Sequence, residues 1–204
     1  MPYQKAIAHL NSDPVIAELI ISLPPIPPKP KEPDFYLTLL RSVVGQQLSV
    51  KAAATIYARF INLFPSTYPN PEEVLLLLDE QLRGVGLSGQ KSGYVRAVAE
   101  FKKSGKLEPE VISHLDDEAL IKHLTSIKGV GRWTAEMLLM FALDRPDVFP
   151  ADDLGIQNAM KKRYGLTSEK KVLRQQMFEI AENWKPYRTL ASKYLWKSLD
   201  NMPG

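Results

Sequence analysis

Apolar residues recur at helical spacing along almost the whole chain, and that pattern predicts an all-α protein. Between Tyr3 and Leu23 one face carries Ala6, Leu10, Ile16, Leu19 and Ile20, counted as one helix with Asp13-Pro14 as a candidate break. Asp34 is placed to cap a helix whose Tyr36, Leu39, Leu40, Val43 and Val44 share one side and which ends near Gly45-Gln46-Gln47. Ser49 reads as the cap of the next helix, closed by Pro65. Pro71-Glu72-Glu73 has the proline and acids that a helix start prefers. A Gly84-Val85-Gly86 turn follows, after which Ser88 caps a helix that Gly105 ends. Asp116 or Asp117 caps a helix running through Leu124.

Beyond the turn Gly129-Val130-Gly131 comes a helix from Arg132 to Leu143, then a loop from Asp144 to Ala151 containing Pro146 and Pro150. Three more helices are expected, over Asp153–Arg163, Ser168–Glu182 and Pro186–Leu199. Roughly ten helices result, and no stretch alternates with period two for long enough to require a sheet. The run from Leu23 to Pro30 is too rich in proline for helix and is read as extended polyproline II, a stiff connector or else a ligand for proline-binding modules.

Composition narrows the chemistry. The 204 residues are 45% hydrophobic, enough for one globular domain or two lobes sharing a core. A net charge of +3 (26 basic against 23 acidic residues) is compatible with nucleic acid without arguing for it. The absence of cysteine excludes disulfides, thiolate nucleophiles, cysteine-bound zinc and iron–sulfur clusters. His9, His114 and His123 are isolated and read as surface or capping residues. No apolar run reaches membrane-spanning length and the first residues lack a signal-peptide core, so the expected location is intracellular: bacterial cytoplasm and nucleoid, or a nucleus.

Gly129-Val130-Gly131 carries the strongest local signal. A glycine pair at a helix junction lets the backbone turn through positive φ and bares amide N–H groups at the start of the next helix. Those amides and the positive end of the helix dipole favour an anion such as a phosphate. The carboxylate pair Asp152-Asp153 follows downstream.

LTSIKGVGRWTAEMLLMFAL (residues 124–143) and DVFPADDLGIQNAM (147–160) together resemble the helix-hairpin-helix DNA glycosylases, in which the hairpin is followed by a Gly/Pro-rich loop and an aspartate. The resemblance is to the alkylation-repair branch, the 3-methyladenine DNA glycosylase II type. SVVGQQLSVKAA (42–53), GLSGQKSGYVRAVA (86–99) and WKPYRTLASKYLW (184–196) support it. It implies two helical lobes with a DNA-binding cleft between them. Residues 1–33 would form an N-terminal helix and connector packed on the C-terminal lobe, 34–123 the lobe with the wedge loop, and 124–204 the hairpin and catalytic lobe.

The implied activity is base excision of alkylated purines (3-methyladenine, 7-methylguanine) from double-stranded DNA, by a monomer without organic cofactor or catalytic metal. An enzyme acting on a base within a duplex must flip it out, which takes a phosphate grip, a wedge, a base pocket and a group at the sugar. By resemblance, the grip is the backbone at Gly129, Val130 and Gly131, flanked by Lys128 and Arg132. Carbonyls of Thr125, Ile127 and Val130 match positions that hold a structural Na+ or K+. The wedge matches Gln47, with Leu48 as the alternative, within Gln46–Ser49. Lys51 and Lys91 lie near turns that would face phosphates. Trp133 and Trp196 match aromatic positions lining the pocket, where an electron-rich indole attracts a cationic alkylpurine. Met137 and Leu154 stand where some relatives have aromatics.

Asp153 matches the catalytic aspartate, a carboxylate suited to stabilising oxocarbenium character at C1′ or to activating water. Asp152 is left as the candidate helix cap. Trp133 occupies the position at which bifunctional relatives carry a Schiff-base lysine, so lyase action is not expected. Rival readings are a glycosylase for oxidised or deaminated bases, or a non-catalytic lesion-binding protein.

Overall fold

The computed structural model describes residues 2–26 and 34–199, and every element among them is helical. Two compact units divide the chain, one of residues 32–138 and the other of 1–31 with 139–204. The division at 138/139 differs from the boundary drawn from sequence at 123/124, since it leaves the glycine turn with the middle unit.

The first unit is residues 1–31 with 139–204, and the middle unit is 32–138. The first unit contains α1 (Pro2–Leu10) and α2 (Pro14–Ser22), separated at Asp13, whose carboxylate accepts the Val15 and Ile16 amides at 2.9 and 3.1 Å. Capping by Asp with Pro at the first helical position makes this a firm break. The proline run predicted from Leu23 is described only to Ile26; Leu23 has extended dihedrals, and Pro27–Pro30 lie outside the described residues.

The middle unit holds α3 (Phe35–Gly45), α4 (Val50–Ile61), α5 (Pro71–Leu76), α6 (Asp79–Gly84), α7 (Gly89–Lys103), α8 (Pro109–His114), α9 (Asp117–Thr125) and most of α10 (Arg132–Phe141). Asp34, Ser49, Ser88 and Asp116 cap α3, α4, α7 and α9 through their side chains. Asp116 rather than Asp117 is therefore the cap of α9. Its core is Leu39, Leu40, Val43, Val44, Phe60, Leu82, Val95, Val98, Leu120 and Leu124, all fully buried. Each such side chain stabilises the fold by roughly 1.5–3 kcal/mol relative to exposure.

The first unit continues through α11 (Leu154–Tyr164), α12 (Lys170–Glu182) and α13 (Arg188–Lys197). Here α13 packs on both α2 and α11. The Asp13 carboxylate also accepts from the Tyr164 hydroxyl at 2.9 Å and the Trp184 indole N–H at 2.8 Å, tying the N-terminal helices to α11 and the segment after α12. Burial, reinforced by the charge of Asp13, pushes the Tyr164 hydroxyl well above its ordinary pKa.

Thirteen helices are present among the described residues, where ten were expected. The break at Asp13 adds one, and the six-residue α6 and α8 add two. Two starts also differ. Ser168 does not open α12, which begins at Lys170 with φ +51° after Glu169, and α13 begins at Arg188 rather than Pro186.

Candidate functional site

The residues singled out from sequence fall into two sets, one in each unit. In the middle unit, the loop joining α3 to α4 turns tightly. Gln47 has φ +58°, a left-handed conformation that a non-glycine residue adopts at a cost of order 1–3 kcal/mol. Gln47 and Ser49 are exposed, and Leu48 is exposed at 37%. Ser49 itself is the α4 cap, its hydroxyl accepting the Ala52 amide at 3.3 Å. Gln46 faces inward: its Nε2 donates to the Gly129 carbonyl at 2.9 Å, which brings the candidate wedge loop onto the glycine turn.

The turn is built around Gly129. Its φ is +92°, and a Cβ there would lie 2.2 to 2.5 Å from the Tyr94 ring, so both backbone and space demand glycine. Gly131 is different, since a Cβ at that position would meet nothing within 4 Å. The Val130 amide is spent inside the turn on the Ile127 carbonyl at 3.0 Å, and the Val130 side chain is buried. Backbone donation to an anion thus falls to Gly129, Gly131 and their neighbours.

The cations of this region are not equivalent. The Arg132 guanidinium pairs with Glu118 at 2.5 and 3.1 Å and with Glu136 at 2.9 Å. Hydrogen bonding to Glu118 raises its pKa above the ordinary arginine value. Lys91 sends its ammonium to the Val44 carbonyl at 2.7 Å, near the C-terminal end of α3 where the helix dipole favours a cation. Burial lowers its pKa. Lys128 and Lys51 are exposed, and Lys51 lines a shallow depression of about 410 Å³ with Ser49, Thr55 and Arg59. Thr125 is the last residue of α9 and exposed, while Ile127 is buried. On α10, Trp133 is 44% exposed, whereas Met137 is buried.

In the other unit, Asp153 caps α11. Its Oδ1 accepts the Ile156 amide at 2.8 Å and the Trp196 indole N–H at 2.7 Å. Asp152 does not cap; it pairs with Arg174 at 3.0 Å on the surface. The capping role left to Asp152 from sequence thus belongs to Asp153. Asp153 is half-buried, and the neighbouring Leu154 is 73% exposed. Trp196 is 1% exposed, stacked on Phe141 with ring centroids 5.8 Å apart and planes 29° from parallel.

The loop leading to Asp153 is pinned by α13. Arg188 donates to both carboxylate oxygens of Asp147 at 2.8 and 2.9 Å. The Thr189 hydroxyl donates to the Arg145 carbonyl at 2.6 Å and accepts the Val148 amide at 3.0 Å. These residues, with Tyr94 and Gly155, were not singled out from sequence. Asp147, Val148, Gly155, Arg188, Thr189 and Tyr94 lie in the stretches that carry the family resemblance, and that position was their only signal. His9, His114 and His123 each bond a backbone carbonyl, and no metal-binding cluster occurs among the described residues.

Chemically, one unit offers a backbone turn suited to an anion and the other a half-buried carboxylate held at a helix start. Such a carboxylate can stabilise developing positive charge or orient a water.

Residues 40–186 match the family model of the HhH-GPD superfamily base excision DNA repair protein. DNA-3-methyladenine glycosylase 1 of Schizosaccharomyces pombe is 41% identical over 170 residues, covering 82% of this chain and 73% of that protein. YfjP of Bacillus subtilis is 33% identical over 171 residues, 81% of this chain, which spans only 59% of that protein's length. Among solved structures, the Schizosaccharomyces pombe 3-methyladenine DNA glycosylase in complex with abasic DNA superposes with a TM-score of 0.81. It is 36% identical and covers 98% of this chain and 100% of its own.

Proposed function

This chain belongs to the HhH-GPD superfamily of base excision DNA repair proteins, and on that premise we propose that it is a DNA glycosylase that removes alkylated purines such as 3-methyladenine and 7-methylguanine. Its substrate is double-stranded DNA carrying the damaged base, met inside the cell. The observation that carries this reading is the Asp153 carboxylate fixed at the start of α11 in a chain that also presents the glycine turn. Relatives named as 3-methyladenine glycosylases support the substrate class.

The steps follow from the groups present. Amides at Gly129 and Gly131, with the N-terminal end of α10, take a phosphate. Gln47, displayed by its left-handed backbone, or the exposed Leu48 beside it, enters the stack in place of the extruded nucleotide. The half-exposed Trp133 offers an indole face to the cationic base. As the N-glycosidic bond breaks, the departing base carries the bonding electron pair, and the ionised Asp153 stabilises the positive charge left at C1′. Water then adds at C1′ and its proton passes to Asp153 or to solvent, leaving an abasic site.

The position that would carry a Schiff-base lysine is Trp133, so the reaction stops at base removal and the strand stays intact. By the family resemblance the neutral carbonyl oxygens of Thr125, Ile127 and Val130 would hold a monovalent cation, the Ile127 oxygen doing so with the lone pair not engaged by the Val130 amide. Such an ion would add positive charge beside the phosphate and takes no part in bond cleavage.

The test is a release assay on duplexes carrying 3-methyladenine, 7-methylguanine, hypoxanthine, ethenoadenine or 8-oxoguanine. Release of the two methylated purines is expected. Preferential release of the oxidised or deaminated bases would transfer the chain to another substrate class. Binding without release of any base would make it a lesion-binding protein.

A further inference from the structure

Trp196 matches a base-pocket position, yet at 1% exposure it offers no open face to a base, and Phe141 covers it. What it does present is its indole N–H, 2.7 Å from Asp153 Oδ1. That same oxygen accepts the Ile156 amide at 2.8 Å. Two donors converging on one oxygen from different elements, α11 and α13, restrict the rotation of the carboxyl group more than a helix cap alone.

A second observation, independent of that bond, concerns Gly155. A Cβ there would lie 2.9 Å from Trp196 Cδ1, 3.0 Å from Trp196 Nε1 and 3.0 Å from Asp153 Oδ1. Gly155 is helical and its φ is ordinary, so its backbone does not require glycine. The bond between the indole and the carboxylate does require it, because any side chain at 155 intrudes on both partners at once.

From these contacts we infer that Trp196 and Gly155 are positioning residues for Asp153: the indole N–H sets the orientation of the carboxylate, and the glycine leaves the gap through which it does so. The inference rests on the glycosylase reading for its catalytic meaning, though the contact itself does not. A hydrogen bond to an ionised group is stronger than a neutral one, so its loss should be felt in the rate of base release rather than in DNA affinity.

Two measurements on the full chain test it. The first is kinetic, using a duplex with a single methylated purine for release and an abasic-site duplex for binding. Trp196→Phe keeps an aromatic ring and removes the N–H. Its single-turnover rate should fall by about tenfold to a hundredfold, with affinity for the abasic-site duplex nearly unchanged. Gly155→Ala should show the same split while keeping the indole. In an Asp153→Asn background the Phe substitution should cause no further loss beyond about twofold, since the group it positions has lost its charge. A wild-type rate in Trp196→Phe, or an equal additional loss in the Asn background, overturns the positioning role, and the latter outcome assigns Trp196 to packing.

The second measurement is spectroscopic and independent of activity. Asp153→Asn should shift the Trp196 indole N–H resonance, while that of Trp184, bonded to Asp13, stays in place. An unmoved Trp196 resonance overturns the inference even if wild-type protein releases no base, an outcome that by itself would sink the glycosylase reading.

Discussion

Gln46 and Gly129, 83 residues apart in sequence, are joined by a 2.9 Å hydrogen bond from the glutamine amide to the glycine carbonyl. The bond connects the loop that displays Gln47 and Leu48 to the turn whose amides are suited to phosphate. Gln46, which the family resemblance places among DNA contacts, therefore also has a partner within the protein. Its neighbour Lys91 is similar, with its ammonium on the Val44 carbonyl at the end of α3. Gln46 and Lys91 thus brace a loop on which Gln47 and Leu48 are exposed.

Gln46→Ala removes that link and leaves a part-buried carbonyl without its donor. A loss of about 1 kcal/mol in stability is expected, read as a lower Tm. Affinity for abasic-site duplex should fall more than stability does, because wedge loop and turn no longer hold a common geometry. Gln46→Glu should weaken binding further, since a carboxylate cannot donate to the carbonyl and its charge opposes phosphate. Binding titrations at fixed salt, alongside thermal melts, check both variants.

The two glycines of the turn should separate folding from binding. Gly129→Ala meets a φ of +92° and the Tyr94 ring, so it should destabilise the protein by about 1–3 kcal/mol or more. Gly131→Ala meets no protein atom within 4 Å and should leave stability within about 0.5 kcal/mol of the parent. If a phosphate approaches the Gly131 backbone, the added methyl will still lower DNA affinity. Gly131→Ala that folds and binds like wild type would remove that approach from the account.

Asp153→Asn preserves the shape of the cap, because the asparagine oxygen can still accept from the Ile156 amide. Only the charge is lost. Base release should drop by at least about a hundredfold, the order associated with removing one electrostatic stabiliser, while Tm and abasic-site binding stay near wild type. Retained release in Asp153→Asn would take this carboxylate out of the reaction.

Most helices were legible because a capping residue precedes the apolar stripe. Asp34, Ser49 and Ser88 bond amides as their positions predicted, and Asp116 does so where Asp117 was the alternative. Asp13, by contrast, was read only as a break and proves to be a cap. The short α6 and α8 were not, since six residues hold too little periodicity to separate helix from turn. Within the site, local pattern found Gly129 because a tight turn has a sequence signature. It could not divide labour between Asp152 and Asp153, as adjacent carboxylates before a helix look alike until Arg174 claims one of them. Nor could it show that Trp196 is a buried donor, since its partners Phe141 and Asp153 lie 55 and 43 positions away. Gly155 was invisible for the same reason, since its meaning lies in what approaches from α13.

The N-terminal helices offer a test of how the first unit is held. Asp13 serves three structures at once: it caps α2, accepts the Tyr164 hydroxyl and accepts the Trp184 indole N–H. Trp184 is fully buried, so its donor has no water to turn to when the carboxylate is removed. Asp13→Ala therefore combines a lost cap, worth about 1 kcal/mol, with stranded donors costing roughly 1–3 kcal/mol each. A total of about 3–7 kcal/mol would lower Tm strongly. Asp13→Asn is the informative partner: an amide oxygen in the Oδ1 place keeps the cap, and the Tyr164 hydroxyl can turn to accept from the new NH2 in the Oδ2 place. Only the Trp184 donor is stranded, so its loss should be clearly smaller. Because Asp13 belongs to neither the glycine turn nor Asp153, the release rate of either variant, measured well below its Tm, should stay close to wild type. A large rate defect in a folded Asp13→Asn protein would mean that the N-terminal helices influence Asp153 itself, through α13 and the indole that α13 carries.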